Sequence, residues 1–136
     1  KYARLLGLVD SPANGVELCL GTVAEMSTGS VYDCARSLAR RNRIGYIHFR
    51  NVRGKVPVYH ETFIDDGDVD MAEIVRILRD ENYTGVLIPD HTPEMECAAP
   101  WHAGKAYALG YMRALIKNAD SLGPSLTGGA RNREIA

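Results

Sequence analysis

Short apolar runs alternate with stretches whose apolar positions recur every third or fourth residue, and the alternation repeats along the chain. Val16 to Gly21 (VELCLG), entered from the turn Ser11-Pro12-Ala13-Asn14-Gly15, predicts a strand. Ser27, Thr28 and Ser30 then offer N-caps to a helix over 31–43, with Val31, Cys34, Ala35, Leu38 and Ala39 at helical spacing. A second strand is expected over 45–52 (GYIHFRNV), followed by an irregular segment over 53–67 with a short strand at 56–63. Asp68 is expected to cap an amphipathic helix whose stripe is Met71, Ile74, Val75 and Leu78. The third strand, 84–90, is cut by Pro89; a loop over 91–101 leads to a last helix over 103–117. The tail, 121–136, carries Gly123, Pro124, Gly128 and Gly129 and is expected to be flexible.

Strands alternating with helices imply parallel βα units, in an open doubly wound sheet or as part of a (β/α)₈ barrel. In either, chemistry belongs at the C-terminal edge of the strands. Cys19, His48 and Asp90 stand there, one per strand. Each has an ordinary structural use: a small core hydrophobe for Cys19, a hydrogen-bonded core imidazole for His48, a turn or cap for Asp90. Together they offer thiolate, imidazole and carboxylate, a mixed set that Mn²⁺, Fe²⁺, Co²⁺ or Zn²⁺ accepts. A second polar set comprises Arg50, Asn51, His60, Glu61, His91 and His102. Arg50 falls two residues after His48 on the same strand face, where a guanidinium either clamps a substrate carboxylate or makes an ion pair. His91 adjoins Asp90, and an imidazole titrating near neutrality is the usual proton shuttle.

Composition narrows the field. A net charge of -1 on 136 residues gives no electrostatic basis for nucleic acid or a membrane surface, and Arg40, Arg41 and Arg43 read as a solvated helix end. No apolar run reaches the roughly 20 residues of a membrane span and no signal-peptide pattern is visible, so the expectation is a cytoplasmic protein. Three widely spaced cysteines without a CxxC predict no disulfide framework. The acidic run Asp65-Asp66-Gly67-Asp68-Val69-Asp70 lacks the spacing of a calcium loop, and the glycines form neither a dinucleotide fingerprint nor a P-loop.

The strings around the candidate ligands carry a resemblance. Asp10-Ser11-Pro12-Ala13-Asn14-Gly15 leading to Leu18-Cys19-Leu20-Gly21-Thr22, with Ile47-His48-Phe49-Arg50-Asn51-Val52, is similar to the mannonate dehydratase family. So are His60-Glu61-Thr62-Phe63, Gly67-Asp68-Val69-Asp70-Met71 and Pro89-Asp90-His91. The resemblance implies a partial (β/α)₈ barrel of the xylose-isomerase-like kind, three to four parallel βα units from its C-terminal part over 1–120. It implies dehydration of D-mannonate, or a related sugar acid, to 2-keto-3-deoxy-D-gluconate in hexuronate breakdown, with Mn²⁺ or Fe²⁺ as cofactor. Metal ligation then falls on Cys19, His48 and Asp90, acid–base roles on His91 and His102, and substrate contacts on Arg50, Asn51 and His60. His102 stands where the family has an acid–base tyrosine, and a further histidine ligand of the family precedes the matched segment. The expected partners are a sugar acid and further copies of the chain, with neither nucleic acid nor membrane. The alternative is a non-catalytic half-barrel that persists as a homo-oligomer. Sugar isomerases and nucleases of related fold rely on more carboxylate and histidine ligands, and Cys19 argues against them.

Overall fold

The computed structural model describes residues 2–127. In chain order its elements are α1 (Tyr2–Leu6), β1 (Val16–Cys19), α2 (Leu20–Ala24), α3 (Val31–Arg40), β2 (Ile44–His48), β3 (Val52–Lys55), β4 (Val58–Glu61), α4 (Met71–Asp80), β5 (Val86–Ile88) and α5 (Pro100–Lys117). A 3₁₀ turn at Ala119–Leu122 follows. Strands β1, β2 and β5 form a parallel sheet in that order, while β3 and β4 make an antiparallel hairpin. Parallel neighbours require long returns, which α3 and α4 provide. Among the described residues no helix is long and apolar enough to cross a membrane.

One face of the sheet is the core. Leu18 and Ile47 are wholly buried with Leu20, Phe49, Ile74 and Ile77. The other face carries Glu17, Cys19, Tyr46, His48 and Ile88, none of them fully buried. Simple alternation from Ile44 would bury Tyr46, yet the buried pair is Ile44 and Ile47. The register explains this: Val16 pairs with Ile44 but Glu17 with Tyr46, so β2 holds one extra residue, Gly45. That bulge reverses which side chains face the core from Tyr46 onward. It brings Cys19 opposite His48 with both on the open face.

Both long returns stop in the same way. Asn42 and Asn82 have φ of 51° and 56°, the left-handed conformation that ends a helix. Behind each, paired backbone bonds close the last turn: Asn42 N–H to Ala39 O and Arg43 N–H to Leu38 O, then Asn82 N–H to Arg79 O and Tyr83 N–H to Leu78 O. The first helix therefore ends at Arg40 rather than at 43. The second begins at Met71 with Asp70, not Asp68, as cap; Asp70 accepts from Glu73 N–H at 2.9 Å. Asp68 instead accepts from Gly54 N–H at 2.8 Å and anchors the hairpin. The last helix starts at Pro100, three residues earlier than expected, because proline fits a first helical position. The strand expected over 45–52 divides at His48, and the following residues turn toward the hairpin.

Beyond α5 the chain is tied down as far as Thr127, where a flexible tail is expected; 128–136 lie outside the described residues. Glu73 is only 2% exposed, and its Oε1 accepts from Leu126 N–H and Thr127 N–H, both at 2.9 Å, and from Thr127 Oγ1 at 2.7 Å. Ser125 Oγ donates to it as well, and Arg36 Nη2 donates to Thr127 O at 2.6 Å. Burial alone would raise the Glu73 pKa, but these hydrogen bonds from Ser125, Leu126 and Thr127 lower it to about 2. A folded-state pKa below the ordinary 4.5 means that this stabilisation is complete above pH 4.5 and is lost as the pH falls toward 2. Its size is on the order of 3 kcal/mol. Acid titration of stability by urea denaturation is expected to show this loss, and Glu73→Gln to flatten the same limb.

Candidate metal centre

The parallel ladder sends the C-terminal ends of β1, β2 and β5 to one edge. Cys19 and His48 are register partners at the last positions of β1 and β2, and His48 pairs with Ile88 of β5. Asp90 lies two residues beyond Ile88. One ligand atom from each of Cys19, His48 and Asp90 lies within 4.8 Å of the others, and His48 Nδ1 is 3.2 Å from Asp90 Oδ2. Bonds of about 2.0–2.3 Å hold co-ligands up to about 4.5 Å apart, so small side-chain adjustments let the trio share one divalent cation.

Arg50 is the hub beside them. It is 7% exposed, and its Nε donates to Cys19 Sγ at 3.2 Å and lies 3.5 Å from Asp90 Oδ2. Its Nη1 donates to Glu61 Oε1 at 2.6 Å and its Nη2 to Thr22 Oγ1 at 3.2 Å. Burial works against the guanidinium charge, but Cys19 and Glu61 outweigh it and raise the Arg50 pKa. Gly21 makes room for this arrangement, since a Cβ there would come within 2.6 Å of Arg50 Nη1. Glu61 Oε1 also lies 3.3 Å from His91 Nδ1, and His91 Nε2 is 3.8 Å from Asp90 Oδ2.

The donor chemistry fits a cation. Glu25, Glu61 and Asp90 surround one guanidinium, and both Glu25 Oε2 and Glu61 Oε2 are buried without a hydrogen-bond partner. Glu25 Oε2 is 4.0 Å from Arg50 Nη2, beyond hydrogen-bond reach. Buried carboxylate oxygens left short of donors are the expected surroundings of a positive ion.

A family model described as D-mannonate dehydratase (UxuA) matches residues 1–122. This chain belongs to the D-mannonate dehydratase family. The mannonate dehydratase of Enterococcus faecalis (strain ATCC 700802 / V583) is 37% identical over 122 residues, covering 84% of this chain and 33% of that protein. That of Lactococcus lactis subsp. cremoris (strain MG1363) is 30% identical over 127 residues, covering 84% of this chain and 36% of that protein. The chain thus spans about a third of the length of these curated relatives. The crystal structure of mannonate dehydratase from Streptococcus suis serotype 2 matches with a TM-score of 0.78 at 27% identity, over 99% of this chain and 41% of that one. The parallel sheet and its helices therefore match a part of that larger mannonate dehydratase structure.

Within this family member the expected site residues do not all meet. Cys19, His48, Asp90, Arg50 and His91 form one cluster. Asn51 does not face it. The Asn51 side chain is 1% exposed, its Nδ2 donating to Ile64 O at 3.0 Å and Val69 O at 2.9 Å. Its Oδ1 accepts from Val52 N–H at 3.0 Å and Val69 N–H at 3.1 Å, so the amide is spent on holding the 62–70 loop. The substrate contact that the resemblance implies there is not among these bonds, all four of which go to backbone groups. His60 follows the strand alternation: Glu61 faces the cluster, so its neighbour His60 faces away and is exposed. His102 is exposed in the first turn of α5, outside the hydrogen bonds of the cluster.

Other residues take places that sequence reasoning did not assign. Glu61 links Arg50 to His91, and Lys105 Nζ donates to Asp90 O at 3.2 Å. Glu17 stands on the open face two residues before Cys19, a place that strand alternation alone predicts. Thr22 and Glu25 had no such signal, because they depend on the short helix α2 that starts immediately after Cys19.

Removing the hub leaves buried negative groups uncompensated. Arg50→Met is expected to destabilise the fold by about 2 kcal/mol, below the 3–5 of a fully buried pair because Glu61 keeps 33% exposure. Arg50→Lys is expected to recover only part, since an ammonium lacks the fork. Thermal unfolding followed by circular dichroism measures both.

Proposed function

We propose that this chain supplies the metal-binding edge and the proton-transfer histidine of a sugar-acid dehydratase, built as the C-terminal part of a (β/α)₈ barrel. The observation that carries the reading is the meeting of Cys19, His48 and Asp90 at one strand edge, with His91 against them. Family membership supports D-mannonate as substrate and 2-keto-3-deoxy-D-gluconate as product. Cys19 Sγ, a His48 ring nitrogen and the Asp90 carboxylate would hold Mn²⁺ or Fe²⁺. The chemistry that a bound cation supplies is stabilisation of the negative charge that develops as C2 of the substrate loses its proton.

The protein's own groups account for the proton traffic. His91 takes the C2 proton, the C2 electron pair forms the C2–C3 double bond, and the C3–O bond breaks. The same imidazole then returns its proton to the departing hydroxyl, so that water leaves and an enol remains. The enol tautomerises to the 2-keto acid. Glu61, 3.3 Å from His91 Nδ1, fixes the ring and balances its charge when protonated. Arg50 acts here by holding Cys19 and Glu61, each of its three nitrogens donating one hydrogen bond within the protein. His102 takes no step in this scheme, because it stands on α5 outside the cluster. The test is conversion of D-mannonate by the purified chain with Mn²⁺ or Fe²⁺, read as keto acid by semicarbazide absorbance. Keto acid is expected, with a loss of at least about 100-fold in His91→Asn at unchanged metal content. No product with any of several divalent metals overturns the reading.

A second reading has its own observation. Among the described residues neither β1 nor β5 has a second strand neighbour, and the open sheet face exposes Tyr46 at 37%, Val86 at 60% and Ile88 at 36%. Unpaired edges and an uncovered apolar face favour self-association, as in a non-catalytic half-barrel that persists as a homo-oligomer. Light scattering on the purified chain separates the cases. An inactive dimer or larger species supports this reading, and a monodisperse monomer removes it.

A further inference from the structure

Glu17 stands on the open sheet face against a proposed ligand, and the dehydration scheme does not use it. Its Oε1 lies 2.9 Å from His48 Nδ1, closer than the 3.2 Å of Asp90 Oδ2 to the same nitrogen. Its Oε2 accepts from Tyr46 Oη at 2.6 Å. Glu17 and Tyr46 are register partners, as are Cys19 and His48 two pairs further on. The Tyr46 and His48 rings lie tilted with centroids 5.5 Å apart. The carboxylate is therefore anchored at one oxygen by the phenol and set against the imidazole with the other.

A ring nitrogen facing two carboxylate oxygens at these distances does not present a lone pair to them, because the charges repel. It carries the hydrogen. A neutral imidazole has one N–H, so a hydrogen held at Nδ1 leaves the lone pair at Nε2. The group of mutually close ligand atoms comprises Cys19, His48 and Asp90 and does not include Glu17. Glu17 thus lies beside that group, where a carboxylate sets the orientation and basicity of a ligating histidine.

We propose that Glu17, anchored by Tyr46, is the positioning residue of the metal centre: it holds the hydrogen of His48 on Nδ1 and so offers Nε2 to a divalent cation. The inference rests on the metal-centre reading above.

Two readouts test it on the whole chain. Long-range ¹⁵N–¹H spectra of the metal-free protein in alkaline buffer report which His48 nitrogen carries the hydrogen. Mn²⁺ titration followed by electron paramagnetic resonance gives the affinity. The wild-type chain is expected to show the Nδ1–H form. Glu17→Ala is expected to raise the Nε2–H population and weaken Mn²⁺ binding roughly 10- to 100-fold. Glu17→Gln, whose amide oxygen still accepts, is expected to keep the Nδ1–H form and most of the affinity. Because Glu17 keeps 41% side-chain exposure, neither variant threatens the fold. An unchanged tautomer in Glu17→Ala overturns the proposal, whether or not the affinity falls; a fall without a tautomer change would make Glu17 a direct ligand instead. If the wild-type chain takes up no Mn²⁺, the metal reading fails, and the tautomer spectrum alone decides whether Glu17 positions His48.

Discussion

Parallel pairing of β1, β2 and β5 is the constraint from which the rest follows. Parallel strands finish at a common edge, so residues remote in sequence are delivered to one place without any loop having to find it. The delivery also depends on facing. The extra residue at Gly45 reverses the alternation of β2, and without it His48 would not stand on the face that carries Cys19. The site is therefore built on the sheet's hydrogen bonds, and its precision is that of the ladder.

Charge decides what that edge can hold. Arg50 is buried among a thiol and carboxylates, and it is the cation around which the protein's own negative groups are arranged. Even so, buried oxygens of Glu25 and Glu61 are left without donors. A site with this surplus of acceptors suits a metal better than an anionic substrate acting alone. It also changes the part played by Arg50. Its three nitrogens each donate one hydrogen bond, to Cys19, Glu61 and Thr22, so part of its five-donor fork is spent on the protein's own groups.

Similar economy appears away from the site. Asn51 adjoins Arg50 yet faces elsewhere, three of its four hydrogen bonds holding the 62–70 loop over the core. Glu73 does the same for Ser125 to Thr127, gathering donors around one buried carboxylate. Both show buried polar side chains used as fasteners for irregular backbone, which has no ladder of its own to satisfy its N–H and C=O groups.

The periodicity of apolar residues was enough to place α3, α4, α5 and the three parallel strands, because burying one face of a helix or sheet imposes a spacing that survives in the sequence. It was also enough to bring Cys19, His48 and Asp90 forward, since strand ends in parallel sheets share an edge. Tertiary structure decided what local spacing does not encode. The bulge at Gly45, the short helix α2 with Thr22 and Glu25, and the inward turn of Arg50 all arise from packing between segments far apart in the chain. Adjacent residues such as Asn51 and Arg50, or His60 and Glu61, look equivalent as polar side chains in sequence. They are separated only by which way the backbone turns, and that is set by the hydrogen bonds of the strands and loops around them.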